Sequence, residues 1–307
     1  MILGGIVLVI GLVVLTKAAD EFVEGAAGLA YHYRLSTVVV GAVVIGFGTS
    51  APEMLVSGIA AGRGDVDIGI GNVAGSNIAN ITLVLGAAAI VSVIPIGRET
   101  LLREGPMSFA AVALFAFAVQ GGINTGEAIV LVLALAVAIF GAVLGARRTG
   151  DEPKPSDGFR VRTAMARTGI GLVFTVAGAQ AVVEGATRIA DDLDLTGGFV
   201  GLTIVAIGTS LPELVTALAA ARRGETDLIV GNLLGSNIFN SLAVGGIIGF
   251  IGPGVVQDEA LTGTPMWMMV GVAAAILVLL TTGRRVVRWE GVLLVAVFFA
   301  FLPFLPR

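Results

Sequence analysis

The chain has no cysteine, one histidine, and only 13% charged residues among 307. Each scarcity excludes something. Without cysteine there is no disulfide framework, thiolate metal site or cysteine nucleophile. The lone His32 provides no cluster for zinc or for a proton relay. A soluble domain carries about 25% charged residues and about 45–50% apolar ones, so these few charges do not cover a water-soluble body of this size. A net charge of −4 leaves no basic surface for nucleic acid. An ordinary cytosolic enzyme, a nucleic-acid binder and a disordered chain are therefore set aside.

What is abundant is apolar: 56% of residues are hydrophobic, 44 are glycine, and the mean hydropathy is +0.98. Apolar runs fall near 2–29, 35–62, 66–94, 105–120, 126–146, 164–190, 197–221, 227–250, 265–282 and 290–306. The length of the chain fits roughly ten spans of about 20 residues plus short loops. Abundant glycine suits helices packed through small residues in lipid. The first run lacks a basic segment before it and has an internal twin, so it reads as a span and not a cleaved leader. The most polar stretch, centred on Asp151, Glu152, Pro153, Lys154, Pro155, Ser156 and Asp157, divides five spans from five. The expected organisation is a first repeat over 1–146, a cytoplasmic linker over 147–163 and a second repeat over 164–307.

Basic residues set the expected orientation. With the linker inside, 14 of the 18 Lys and Arg residues fall in inner loops, leaving Arg63, Arg188 and Arg307 outside and Lys17 within the first span. Both termini are then outside, in a multi-pass protein of the cell membrane. Asp20, Glu21 and Glu24 with Lys17 read as an interfacial or intrahelical charge cluster, and Glu24 has a repeat counterpart in Glu184.

Shifting the sequence by 160 reveals the repeat. Residues 41–80 match 201–240 at 18 of 40 positions without a gap, with GFGTSAPE over AIGTSLPE and GNVAGSNIAN over GNLLGSNIFN. Because each half holds an odd number of spans, the second copy must enter the membrane from the opposite side. Inverted repeats whose helices are interrupted at matching places point to a secondary transporter with its site near the midplane. The expected fold class is all-α: ten transmembrane helices in two inverted five-helix repeats, with helices 2, 3, 7 and 8 broken around an ion site.

The residues at those interruptions are oxygen donors. Glu53 and Glu213 stand mid-span, where an ionisable side chain costs at least about 2.5 kcal/mol and is usually functional. Pro52 and Pro212 lack an N–H, so nearby carbonyls lose helical partners. Thr49, Ser50, Thr209 and Ser210 add hydroxyls beside each carboxylate. In the second motif, Ser76 and Asn80 lie four apart on one helical face, as do Ser236 and Asn240. Asn72, Asn77, Asn232 and Asn237 lie elsewhere around the helix and read either as groups that satisfy freed backbone or, equally, as helix-packing residues. Two carboxylates among neutral oxygens, with no nitrogen or sulfur ligand, suit a hard cation. Calcium takes 6–8 oxygens in flexible geometry, and sodium could share the same oxygens.

These duplicated motifs, G-x-G/A-T-S-x-P-E followed by G-N-x-x-G-S-N-I-x-N, resemble the paired alpha-repeats of the cation/calcium antiporter superfamily, and in particular its prokaryotic sodium/calcium exchanger-like members. The resemblance spans essentially the whole chain. It implies a compact core of helices 2, 3, 7 and 8, against which the long first and sixth helices slide to alternate access. It further implies that calcium lies between Glu53 and Glu213. The remaining implied ligands are Thr49, Ser50, Ser76, Asn80, Thr209, Ser210, Ser236, Asn240 and the backbone near Gly46 and Ala206. Several family members carry Asp where this chain has Asn240, which lowers the site charge here. The expected activity is calcium exchange for sodium, without a cofactor, in contact with lipid and with no obligate protein partner. The alternative is proton-coupled exchange of calcium or another divalent cation on the same fold. An intramembrane hydrolase lacks a nucleophile paired with a base, and a passive channel would be held up by paired carboxylates.

Overall fold

The computed structural model describes residues 1–32, 50–98, 100–146, 160–224 and 226–302. Among the described residues, seven helical stretches are long and apolar enough to cross a membrane: Ile2–Phe22, Val66–Val91, Thr100–Ala118, Val161–Leu193, Gly197–Arg222, Ile229–Ile251 and Glu259–Leu279. Three of the ten expected spans are not among them. Ala51–Gly62 has only 12 residues, and residues 33–49 ahead of Ser50 lie outside the description. Thr125–Gly141 is apolar but shorter, and Arg288–Phe301 has 14 residues. Large apolar side chains such as Val137, Phe140 and Val173 remain exposed on the outside of the bundle, as lipid-facing helices require. The protein is a helical polytopic membrane protein.

Two helices are much longer than the rest. α1 (Ile2–His32) has 31 residues, and α7 (Val161–Leu193) has 33. At about 1.5 Å per residue, both outreach a hydrocarbon core about 30 Å thick. Residues 161–163, read from composition as linker, belong to α7 because Val161, Arg162 and Thr163 contain nothing that breaks a helix. The two helices run antiparallel along a seam of small residues. Gly11 packs on Val182, Gly178 on Leu15 and Gly185 on Leu8, so one number falls as the other rises. A methyl at Gly178 would lie 2.6 Å from the Leu15 nitrogen, and one at Gly11 would lie 2.8 Å from that of Val182. Contact here is backbone to backbone, and a side chain at either place would part the pair.

Between them lie α2 (Ala51–Gly62) and α3 (Val66–Ala79), then α4 (Leu85–Val91), α5 (Gly105–Ala118) and α6 (Thr125–Ala146). After α7 come the one-turn pieces α8 (Gly197–Val200) and α9 (Ala206–Thr209), then α10 (Leu211–Arg223), α11 (Asp227–Phe239), α12 (Gly245–Ile251), α13 (Thr264–Gly283) and α14 (Arg288–Phe301). Helix α3 is joined to α4 by a π-helical turn over Asn80–Val84, and α11 to α12 by one over Asn240–Val244. Further π turns cover Gly201–Val205 and Thr100–Glu104. The turns after α2 and α10 use Gly64 (φ 91°) and Gly224 (φ 76°), in the left-handed region that glycine adopts freely.

Contacts between the halves are reciprocal. Strand β1 (Ile94–Pro95), which follows α4, pairs antiparallel with β2 (Arg285–Val286), which precedes α14. The counterpart contact joins Gly254, after α12, to Ile123, before α6, with two N–H···O bonds of 2.9 Å. Likewise α4 packs on α14 and α12 packs on α6. The centre is formed by the two stretches carrying the second motif. Of the most apolar windows, 83% of that in Val66–Val91 and 78% of that in Ile229–Ile251 is buried, against 24% for Ile2–Phe22. Polar oxygens on α3 and α11 are thus held away from both lipid and water.

Candidate functional site

Ser50 and Ser210 precede α2 and α10 with almost the same backbone, φ −92°, ψ 6° and φ −84°, ψ 2°. This is the sparsely used bridge between helical and extended conformations, where many active-site residues sit. Proline follows in the first turn of each helix, where its missing N–H would have had no partner anyway. Glu53 and Glu213 come three residues after the serines, giving both helices the Ser-x-x-Glu spacing of a capping box. In neither does the serine close it, since neither side chain bonds to the helix backbone.

Both carboxylates are sealed, Glu53 at 1% and Glu213 at 2% exposure. Ser50 Oγ, Ser210 Oγ, both carboxylate oxygens of Glu53 and Oε2 of Glu213 are buried with no hydrogen-bond partner. The two carboxyl groups lie within electrostatic reach of one another, and Thr209 adjoins Glu53. The positive ends of α2 and α10 face them and offset part of their charge. An uncompensated charge in such surroundings costs several kcal/mol.

The facing walls come from α3 and α11. Asn80 and Asn240 begin the two π turns and are each 1% exposed. Asn80 Nδ2 donates to Asn237 Oδ1 at 3.0 Å, leaving Asn80 Oδ1 unpartnered, while both polar atoms of the Asn240 side chain have no partner. Ser76 Oγ lies 3.5 Å from Thr209 Oγ1, bringing the second motif of one half to the first motif of the other. Close approach is possible because a Cβ on Gly75 would run into the Leu202 carbonyl and Ala206. Ser236 is buried at 1% exposure. The Ala206 carbonyl accepts from the Ser210 N–H at 3.0 Å and from Thr209 Oγ1 at 3.4 Å. Thr49 and Gly46 lie outside the described residues.

The asparagines read as packing residues have specific duties. Asn72 Nδ2 donates to Ser57 Oγ at 2.9 Å, and Asn72 Oδ1 accepts from Thr209 Oγ1 at 3.1 Å and Ser76 Oγ at 3.4 Å. Asn77 Nδ2 donates to Ser241 Oγ at 2.9 Å, while Asn237 Nδ2 donates to the Asn77 carbonyl at 3.4 Å. Of these, only Asn237 serves a backbone group as expected. Ser57 and Ser241 were not singled out by the sequence. Ser57 follows Glu53 by one helical turn, which was the available signal.

Charges outside the cage lie at the ends of the long pair. Glu21 and Glu24 are held across the seam by Arg167, at 2.5 Å to Glu21 and 2.6 and 2.7 Å to Glu24; the expected cluster is thus an interhelical one. At the opposite end Glu184 accepts from Arg188 at 2.8 Å and from Arg63 at 3.3 Å. Met1 and Asp192 form an ion pair there too. Asp67 caps the backbone N–H groups of Gln257 and Asp258 at 3.1 and 2.8 Å.

Among the described residues no three His, Cys, Asp or Glu side chains cluster as a metal site. The arrangement is a pair of carboxylates completed by neutral oxygens in the interior of a membrane protein, which is the architecture of a cation transporter. The sodium/calcium exchanger protein family model matches residues 3–144 and 163–305, and the chain belongs to that family. It is 35% identical over 316 residues to the putative antiporter CaxA of Alkalimonas amylolytica, covering 98% of each chain. It is 32% identical over 339 residues to the sodium/calcium exchanger MaX1 of Methanosarcina acetivorans, covering 97% of each. Among solved structures it is similar to the sodium-calcium exchanger NCX_Mj soaked with sodium and calcium, with a TM-score of 0.70 and 30% identity over 100% of both chains.

Proposed function

We propose that the chain is a secondary antiporter that exchanges calcium for sodium, with Glu53 and Glu213 as shared ligands of the transported ion. The observation that carries this reading is the set of sealed, unpartnered oxygens on Ser50, Glu53, Asn80, Ser210, Glu213 and Asn240. Each half contributes three of these residues. Buried polar groups are nearly always bonded, so a cluster of orphans around two carboxylates asks for a cation. Six or more oxygens suit calcium, and sodium ions use overlapping oxygens. Thr49, Thr209, Ser76, Ser236 and the backbone near Gly46 and Ala206 complete the proposed ligand set.

The scaffold is two inverted five-span repeats, 1–146 and 164–307, joined by a cytoplasmic linker, with both termini outside. Support comes from the antiparallel seam of α1 and α7, whose facing positions belong to matched segments. The paired ends agree as well. Arg63 with Glu184, Met1 with Asp192 and Ile123 with Gly254 each join two outer ends, whereas Arg167 with Glu24 and β1 with β2 join inner ones. Exchange follows if the cage opens to either face only when a cation fills it, since two bare carboxylates would be held back by their desolvation. The test is labelled-calcium uptake by proteoliposomes with sodium and proton gradients imposed separately. Uptake that requires an opposing sodium gradient supports the reading, and uptake driven by a pH gradient without sodium replaces it with proton coupling.

A further inference from the structure

Resting on that antiporter reading, we propose that Asn72 is a positioning residue that takes the hydroxyl protons of Thr209 and Ser76, turning their lone pairs toward the transported cation, and that Ser57 fixes which way Asn72 faces. The order of donors follows from one group that has no choice. A backbone carbonyl only accepts, so at the Ser57 Oγ to Gly69 O contact of 3.4 Å the hydroxyl donates. Ser57 Oγ then presents only lone pairs to Asn72, 2.9 Å away. Asn72 must answer with its NH2, which turns Oδ1 toward Thr209 and Ser76 at 3.1 and 3.4 Å. At those contacts the hydroxyls are the donors, and both contacts are shorter than the alternatives, 3.4 Å from Thr209 to the Ala206 carbonyl and 3.5 Å between Ser76 and Thr209.

All four side chains are sealed, with Ser57, Asn72 and Ser76 at 0% and Thr209 at 1% exposure, so no water reverses the order. A hydroxyl can serve a cation only through its oxygen, and a proton aimed at the ion repels it. Thr209 lies between Asn72 and Glu53. Its hydroxyl also lies 3.4 Å from the Ala206 carbonyl, so its proton has two acceptors, of which Asn72 Oδ1 at 3.1 Å is the nearer. The second half lacks this anchor. Ala217 stands at the position of Ser57 and Ile229 at that of Gly69, and the counterpart Asn232 is half-buried. Alanine therefore fits this scaffold where Ser57 stands.

The test uses the full chain in proteoliposomes and the concentration dependence of labelled-calcium uptake. Ser57→Ala frees Asn72 to flip and should raise half-saturating calcium about fivefold while the maximal rate stays within about twofold, the scale of one misdirected buried hydrogen bond. Asn72→Ala should do the same. In a Thr209→Val background the effect of either change should shrink to less than about twofold, because the principal hydroxyl to be oriented is gone. Ser57→Thr, which restores a hydroxyl, should recover most of the affinity. Unchanged half-saturation in both Ser57→Ala and Asn72→Ala would overturn the proposal. So would an equal loss with and without the Thr209 hydroxyl, which marks a merely structural role. Uptake driven by protons in place of sodium removes the sodium reading alone, since the variant-to-wild-type ratio is still measured. A wild-type chain that moves calcium with neither gradient overturns both.

Discussion

Behind the cage in the first half, Gly69, Ser57 and Asn72 form a chain of hydrogen bonds ending on Thr209 and Ser76. At the same places the second half carries Ile229, Ala217 and Asn232. Yet among the described residues the backbone matches at both motifs. Helices α2 and α10 follow serines of matching conformation, and the π turns begin at Asn80 and Asn240, 160 positions apart. The lesson is a division of labour. On the proposed reading, shared motifs supply the ligands, while residues that differ between the halves orient them.

The largest expected effect tests the shared part. Glu53→Gln and Glu213→Gln should each reduce labelled-calcium uptake at least about a hundredfold, because a full charge about 4 Å from a divalent ion is worth several kcal/mol even at an effective dielectric of about 20. A chain in which only one of the two mattered would break the equivalence of the halves. Next, Gly75→Ala places a methyl against the Leu202 carbonyl and should cost about 1–3 kcal/mol of stability, read as a lower melting temperature in detergent.

A smaller change separates the two asparagines. Asn240→Asp adds a carboxylate where no hydrogen bond is lost, and should lower half-saturating calcium about tenfold. Asn80→Asp must give up the donor to Asn237 and should gain markedly less in the same assay. Equal gains would mean that the Asn80–Asn237 bond carries no weight. Smallest of all is Arg63→Ala. Its pair with Glu184 is partly exposed, at 31% and 42% for the two side chains, so the loss should be under about 1 kcal/mol in thermal unfolding.

Most of the cage was legible because it is written twice. A carboxylate beside serine and proline could be a lone kink, but at Glu53 and again at Glu213 it could not. The break itself was read as a proline effect; in the second half the structure places it at Ser210, two residues before Pro212, and in the first α2 starts after Ser50 in the same conformation, with proline lying harmlessly in the first turn. Comparing the halves also hid things. Ser57 and Ser241 stand opposite Ala217 and Ile81, so a search for matches passed over both. Their importance comes from what lies across the helix interface, which no single-chain periodicity contains. The π turns were equally silent, since one extra residue in a turn is set by packing and not by composition. Arg288–Phe301 lies in an apolar run read as a span to 306, of which the 14-residue helix is the described part and 303–307 lie outside the described residues.

The glycine seam between α1 and α7 has a consequence for direction. Since the facing residues keep step while running opposite ways, exchanging the two helices leaves the seam looking the same. Such a beam has no head or tail in its own packing. On the proposed alternating-access reading, any bias in which way the protein rests must then be supplied at places where the sequence is lopsided, such as the unequal ion pairs at its tips or the anchor that only one half possesses. Tilting the resting direction of this protein is therefore a matter of editing a few mismatched residues, with the beam left untouched.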